Sequence, residues 1–248
     1  MGGMLGIGGG VIIVPALITI YEHSTRFDSE HRLVVAVATS LACIIFTSAS
    51  AAYTQYRAGM VRWDLFQRLV AFLLLGSFFA GWVAPALPTL AFQLFIGLFL
   101  AFVAVVMLSR WQPDARRAFP GYWGSAGIGV TGGMAAGLAG IAGGNVIVPT
   151  LIFFNTPVHN ATATSSALGV PIALMGTLGY WFSAPILAAS GTLGFVDLVA
   201  GIPIVIGALV AAPLGVKIAH QVPSARLKQA FGGLLMLIAL RMLFNTIY

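Results

Sequence analysis

Two glycine-rich runs are the segments of this sequence best able to bind a ligand through the backbone. The run Gly6–Leu17 aligns with Gly140–Leu151, and each contains adjacent glycines followed by a proline. Glycine lets a ligand approach the main chain, and a helix that begins after such a run points unpaired N–H groups and its positive dipole end at the ligand. This pattern predicts an anion site that needs no charged side chain. Its predicted lining residues are Gly8, Gly9, Gly10, Val11, Gly143, Gly144 and Asn145.

Close helix packing is the alternative role for these glycines, because small residues let membrane helices approach one another. We predict that role for scattered glycines such as Gly127, Gly129 and Gly176. For the duplicated runs we favour a ligand-lined cavity, because irregular backbone at membrane depth survives only when it is buried in protein or lines a cavity.

Hydroxyl side chains recur at matching places in the two halves of the chain. Thr39-Ser40 and Thr164-Ser165 each follow an alanine. These hydroxyls could donate to a bound anion or bond back to carbonyls of their own helices, and the sequence leaves both roles open. Asn145 stands where the first run has a valine, so its amide could donate to substrate or cap a helix.

Few titratable side chains are placed to do chemistry. Asp64 and Asp197 each open an apolar stretch, so we interpret both as helix N-caps. Asp64 also stands one turn before Arg68, within pairing reach, and a proton-linked carboxylate is the alternative role for either aspartate. No histidine pair has the spacing of metal ligands on a helix face, and we predict no metal, no cofactor and no catalytic residue.

The composition places these residues in a membrane. Of 248 residues, 59% are hydrophobic and 7% are charged, whereas soluble domains carry roughly 25% charged residues. No charged residue lies between Arg117 and Asp197 or between Arg68 and Arg110, and a membrane helix needs about 20 apolar residues. The net charge of +6 comes from basic residues in short loops, without the basic patch and interleaved aromatics of a nucleic-acid site. We therefore predict a multi-pass membrane protein that does not bind nucleic acid.

Eight hydrophobic elements follow from the breaks at charged or proline-rich loops. They are 4–21, 33–55, 65–84, 91–109, 122–154, 161–182, 195–216 and 227–246. The fifth is too long for one crossing and contains the run Gly140–Asn145, which predicts two limbs joined by a break.

Matching markers in the same order indicate an internal duplication. Beyond the glycine runs and the Ala-Thr-Ser segments, the matching pairs are Asp64 with Asp197, Pro88 with Pro223 and Gly97 with Gly232. The predicted segments are a first repeat at 1–109, an inter-repeat loop at 110–121 and a second repeat at 122–248. The first repeat lacks the apolar limb that 122–139 supplies in the second, and we expect Met1 to be internal to a longer protein rather than the limb to be lost.

The basic residues predict how the repeats are oriented. If the fifth element crossed once, Lys and Arg would divide almost evenly between the two faces of the membrane. If its limbs form a hairpin, most of them fall on one face, as the positive-inside rule expects, and the repeats are then inverted. The predicted fold is an all-α polytopic membrane protein of two inverted-topology repeats, each opening with a glycine-broken helical hairpin followed by three transmembrane helices. Secondary transporters often have this architecture.

Several segments match the pattern of one known family. They are Gly6–Pro15, Gly140–Pro149, Ala38–Ser40, Ala163–Ser165 and Arg226–Gly233. In these segments the chain resembles the TauE/SafE, or sulfite exporter, family. The resemblance implies a two-repeat membrane protein that passes sulfite, organosulfonates or other small anions across the bacterial inner membrane. Ala142 and Asn145, where the first run has Gly8 and Val11, depart from a symmetrical site.

We predict a secondary transporter that exports a small anion, with backbone donors after the two breaks and the four hydroxyls nearby. The alternatives are an anion channel of the same architecture, a non-transporting assembly subunit, and an intramembrane enzyme, although the longest spans lack a Ser–His pair or paired carboxylates. The predicted partners are the anionic substrate and the lipid bilayer, and a homo-oligomer is left open.

Overall fold

The chain folds into a bundle of helices. The structure, a computed structural model, describes residues 10–24, 26–109, 119–184, 191–221 and 224–247. Within these ranges the helices are α1 Gly10–Glu22, α2 Arg32–Arg57, α3 Trp63–Ala86, α4 Thr89–Leu108, α5 Tyr122–Ala139, α6 Gly144–Phe153, α7 Val158–Phe182, α8 Leu198–Gln221 and α9 Ser224–Ile247. The prediction of a helical membrane protein is confirmed.

Four of these helices are long and apolar enough to cross a membrane: Arg32–Arg57, Trp63–Ala86, Thr89–Val106 and Val158–Phe182. Large apolar side chains on the outside of the bundle are exposed, for example Leu98 and Phe102 on α4. Exposure of this kind suits a surface that faces lipid rather than water.

The fifth hydrophobic element is interrupted, as predicted. Gly140 and Gly143 have φ angles of 66° and 76°, which a right-handed helix does not allow. At the end of α5, Ile141 N–H donates to Ala136 O at 3.0 Å and Gly140 N–H donates to Gly137 O at 3.3 Å. This pair of bonds is a Schellman motif, which ends a helix at a left-handed glycine.

A short antiparallel hairpin, β1 Thr192–Leu193 and β2 Val196–Asp197, is the exception to the all-α prediction. The seventh element therefore becomes helical at Leu198, three residues later than predicted. Asp197 caps α8, because Val199 N–H donates to its Oδ1 at 3.0 Å. The N-cap prediction for Asp197 is confirmed.

The N-cap prediction for Asp64 is wrong. The capping position of α3 is Arg62, and Asp64 lies inside the first turn. Asp64 pairs with Arg62, at 2.9 Å and 2.7 Å, rather than with Arg68. Its place in the first turn puts an acidic group at the positive end of the helix dipole.

Glycines in the centre of the bundle let helix backbones approach closely. In this centre α2 packs on α7, and α3 packs on both α5 and α7. A Cβ on Gly129 would collide with Phe72 of α3, and one on Gly176 would lie 2.7 Å from Ser77 Oγ. The packing role is confirmed for these two glycines. It is wrong for Gly127, whose Cβ position is in open space.

Candidate functional site

The two glycine-rich runs meet inside the protein. A Cβ on Gly10, the first residue of α1, would lie 2.5 Å from Gly140 O and 3.2 Å from Ile141 Cα. A Cβ on Gly140 would lie 2.7 Å from Val14 Cγ2 and 3.2 Å from Val37 Cα. The break between α5 and α6 is therefore in direct contact with the first turns of α1 and with α2. Gly8 and Gly9, which we predicted to line the same site, lie outside the described residues.

The helices after the two runs begin at corresponding positions. Gly10 opens α1 and its aligned partner Gly144 opens α6, and each helix contains the aligned proline, Pro15 or Pro149. Val11 is buried in the core, with 3% of its surface exposed. Its counterpart Asn145 is buried as well, so a polar amide occupies a place that the other half fills with an apolar side chain.

In the first turn of α6, two backbone N–H groups have no backbone acceptor among the described residues. Val146 N–H and Ile147 N–H both bond to Gly143 O, at 3.0 Å and 2.7 Å. Within the described residues, Gly144 N–H and Asn145 N–H have no such backbone acceptor. The first amides of a helix are commonly left unpaired in this way, and together they carry the positive end of the helix dipole.

Asn145 and Ser165 add two side-chain donors. Asn145 is 9% exposed and Ser165 is 0% exposed. Among the described residues, Asn145 Nδ2 and Ser165 Oγ have no hydrogen-bond partner. An unpaired buried polar group costs about 1–3 kcal/mol, so such groups in a folded protein call for a ligand, water or another explanation.

The other three predicted hydroxyls hold the halves of the chain together. Ser40 Oγ donates to Gly140 O at 2.9 Å, and thus secures the break itself. Thr39 Oγ1 accepts from Asp197 N–H at 2.9 Å, and Thr164 Oγ1 accepts from Arg62 N–H at 3.0 Å. The sequence left open whether these side chains bind an anion or their own helices. The structure shows a third arrangement, in which each bonds to a backbone group of the other half.

Ser165 aligns with Ser40, but within the described residues its hydroxyl makes no bond that corresponds to the one from Ser40 to Gly140. Ser40 bonds to the carbonyl of Gly140, and the residue aligned with Gly140 in the first run is Gly6. Gly6 lies outside the described residues. Among the described residues, the bond from Ser40 to Gly140 therefore has no equivalent at Ser165.

Asp197 is buried among partners that the sequence did not predict. Asp197 Oδ2 accepts from Tyr21 Oη at 3.0 Å and lies 3.5 Å from a guanidinium nitrogen of Arg26. The sequence predicted Asp197 as a helix cap, with a proton-linked carboxylate as the alternative, but it did not identify the partners, because Tyr21 and Arg26 are distant in the chain. Within the described residues no three His, Cys, Asp or Glu side chains are grouped to hold a metal ion.

These features define a class: a multi-pass helical membrane protein with an interrupted helix and unpaired donors buried between its spans. The chain belongs to the TauE/SafE sulfite exporter family, whose model matches residues 1–242. The resemblance expected from the glycine runs is thus confirmed.

Several relatives are named as transporters. The chain is 27% identical to the probable membrane transporter protein YdhB of Bacillus subtilis, over 92% of this chain and 89% of that protein. It is also 27% identical to a probable membrane transporter protein of Haemophilus influenzae, over 98% of this chain and 92% of that protein. No solved structure matches the chain.

Proposed function

We propose that this protein is a secondary transporter that exports a small anion, such as sulfite, an organosulfonate or a related organic anion, across the bacterial inner membrane. The observation that carries the proposal is the first turn of α6. Among the described residues, the amides of Gly144 and Asn145 have no backbone acceptor and the Asn145 side chain has no partner, and these groups lie at a break that contacts α1 and α2. Membership in a family of membrane transporters supports transport rather than catalysis.

An anion fits this site better than a cation or a neutral solute. The groups at the start of α6 are donors: two backbone N–H groups and the Asn145 amide nitrogen. The helix dipole adds roughly half a positive charge at the start of α6. Because a protein interior screens charge less than water does, this field is stronger at the break than it would be at a surface.

The proposed transport mechanism is alternating access by two inverted repeats, 1–109 and 122–248. Three observations support a repeat. They are the aligned starts of α1 and α6, the bond from Asp197 N–H to Thr39 Oγ1, and the bond from Arg62 N–H to Thr164 Oγ1. In transporters of this architecture the substrate binds at the repeat interface, and one half rocks against the other.

Flux through purified protein in proteoliposomes tests the proposal. Radiolabelled sulfite, organosulfonates and carboxylates would each be offered to the same vesicles, and at least one should enter with saturable kinetics and counterflow. Saturation without counterflow would favour the channel. A folded protein that moves none of these anions would refute transport and favour the assembly subunit.

The Asn145→Val variant tests the site, because it installs the residue that the first half carries at the aligned position. Flux should fall by at least about tenfold, the scale of losing one hydrogen bond to a charged ligand. Ser166→Ala is a matched control, since the Ser166 hydroxyl bonds to Thr162 O of its own helix at 3.0 Å. Unchanged flux in Asn145→Val would defeat the proposed site.

Cysteine labelling tests the inverted topology. In a Cys43→Ala background, single cysteines at positions 115 and 225 should react with an impermeant reagent from the same side of the membrane. Labelling from opposite sides would contradict inverted repeats.

A further inference from the structure

Asp197 is the one fully buried charged side chain among those the structure describes. Its carboxylate accepts from Tyr21 Oη at 3.0 Å and from Val199 N–H at 3.0 Å, and it forms an ion pair with Arg26 at 3.5 Å. Its own N–H donates to Thr39 Oγ1 at 2.9 Å. One residue at the start of α8 is thus tied to α1, to the loop after α1 and to α2.

The contact between α2 and α8 continues one helical turn beyond Thr39 and Asp197. Cys43 follows Thr39 by one turn of α2, and Gly201 follows Asp197 by one turn of α8. Cys43 Sγ lies 3.6 Å from Gly201 O, in hydrogen-bonding contact, and is buried. A Cβ on Gly201 would lie 3.5 Å from Thr39 Cγ2. These contacts form a continuous seam between α2 and α8, and the Asp197 cluster closes one end of it.

The seam joins residues that we assign to different repeats. Thr39 and Cys43 belong to 1–109, and Asp197 and Gly201 belong to 122–248. Separating the two sides would leave the Asp197 carboxylate without Tyr21 and Arg26. A buried charge that loses its partners is strongly unfavourable unless water enters. Separation of the two sides therefore requires that water enter the seam and hydrate the carboxylate.

We propose that Asp197 is a positioning residue for transport, which locks α8 against α1 and α2 at the end of the bundle that holds the α1–α2 loop. Opening of this lock hydrates the α2–α8 seam when the halves rock. The inference rests on the proposed transport function, but the closure of the seam can be measured without any substrate.

Cys43 provides the measurement, because it is the single cysteine of the chain. Alkylation by N-ethylmaleimide proceeds through the thiolate, so its rate reports access of water and reagent to the seam. In folded, detergent-purified protein, well below its unfolding temperature, Asp197→Asn should raise this rate by at least about tenfold, the scale expected for a lost charged hydrogen bond. Tyr21→Phe, which removes one hydroxyl and keeps the ring, should raise it severalfold.

Asp64→Asn is the matched control, since Asp64 is aligned with Asp197 but exposed and paired within its own half. It should leave the alkylation rate unchanged. An unchanged rate in folded Asp197→Asn, or an equal rise in Asp64→Asn, would overturn the lock. If Asp197→Asn does not fold, the alkylation rate of Tyr21→Phe is the deciding measurement. A rate equal to that of the unaltered protein then overturns the lock.

Flux then separates a role in transport from a merely structural one. Tyr21 lies eleven residues along α1 from Gly10, or about 16 Å at the rise of an α-helix, so it is remote from the break. Tyr21→Phe should therefore change the maximal rate of sulfite flux and leave KM unchanged; unchanged kinetics would refute the role in transport. If the unaltered protein moves no anion, the proposed function fails while the alkylation result still decides the lock.

Discussion

The two halves of this protein share a backbone plan and differ in where they place polar groups. Both begin a short helix at an aligned glycine, and both use the threonine of an Ala-Thr-Ser segment to accept a backbone N–H from the other half. The second half has Asn145 where the first has the buried Val11. It also buries Asp197, whereas the aligned Asp64 is exposed beside Arg62.

This difference teaches that the two halves agree more closely in their cross-half hydrogen bonds than in their buried polar side chains. Hydrogen bonds from one half to backbone groups of the other half depend on where the helices lie. Each half therefore needs its own such bond if the two halves are to fit together. Groups that donate hydrogen bonds to a ligand do not have to be present in both halves, because a single binding site needs only one set of donors. Of the buried side-chain polar atoms without a hydrogen-bond partner in the described chain, Asn145 Nδ2 and Ser165 Oγ lie in the second half and His31 Nδ1 lies in the first.

The largest effect is expected from breaking the contact between the glycine runs. Gly140→Val would add a branched side chain at a φ of 66°, into space held by Val14 and Val37. Left-handed strain and the collision together should cost up to about 5 kcal/mol, so the yield of folded protein should fall sharply. The yield of monodisperse protein in detergent measures this. Gly127→Val, on the same helical limb but in open space, should still fold; a similar loss in both would mean that the break is not special.

A smaller effect separates the two aligned aspartates. Asp197→Asn breaks a buried, multiply bonded carboxylate and should lower the free energy of unfolding by about 3 kcal/mol. Asp64→Asn removes an exposed pair and should change it by at most about 1 kcal/mol. Thermal unfolding of the two purified variants gives the comparison. Equal shifts would show that burial does not distinguish the two positions.

The smallest effect separates the two aligned serines. Ser40→Ala removes a buried bond to Gly140 O and should destabilise the protein by about 1–2 kcal/mol. Ser165→Ala removes a hydroxyl with no partner in the described chain, and should leave stability nearly unchanged while lowering anion flux. Unfolding and flux measured on both variants test this crossed pattern. A loss of stability in Ser165→Ala with normal flux would assign Ser165 to the frame instead of the site.

The sequence by itself determined the features that depend on neighbouring residues. Runs of apolar residues predicted the spans, because the bilayer sets their length. The length of 122–154 and its internal glycines predicted the break, since left-handed backbone conformations need glycine. The cap of α8 at Asp197 was predictable for the same reason, because a cap bonds to an amide two residues away.

Only the tertiary structure decided which distant groups meet. Ser40 bonds to Gly140, and Asp197 to Tyr21, because helix packing brings together residues that no local pattern connects. The same physical reason explains why Gly127 faces open space while Gly129 meets a neighbour. The pairing of Asp64 with Arg62 is instead a local contact, which helical spacing did not predict because Arg62 lies just before the helix. A spacing along the chain says which residues share a helix face. What that face touches is set by packing over the whole bundle.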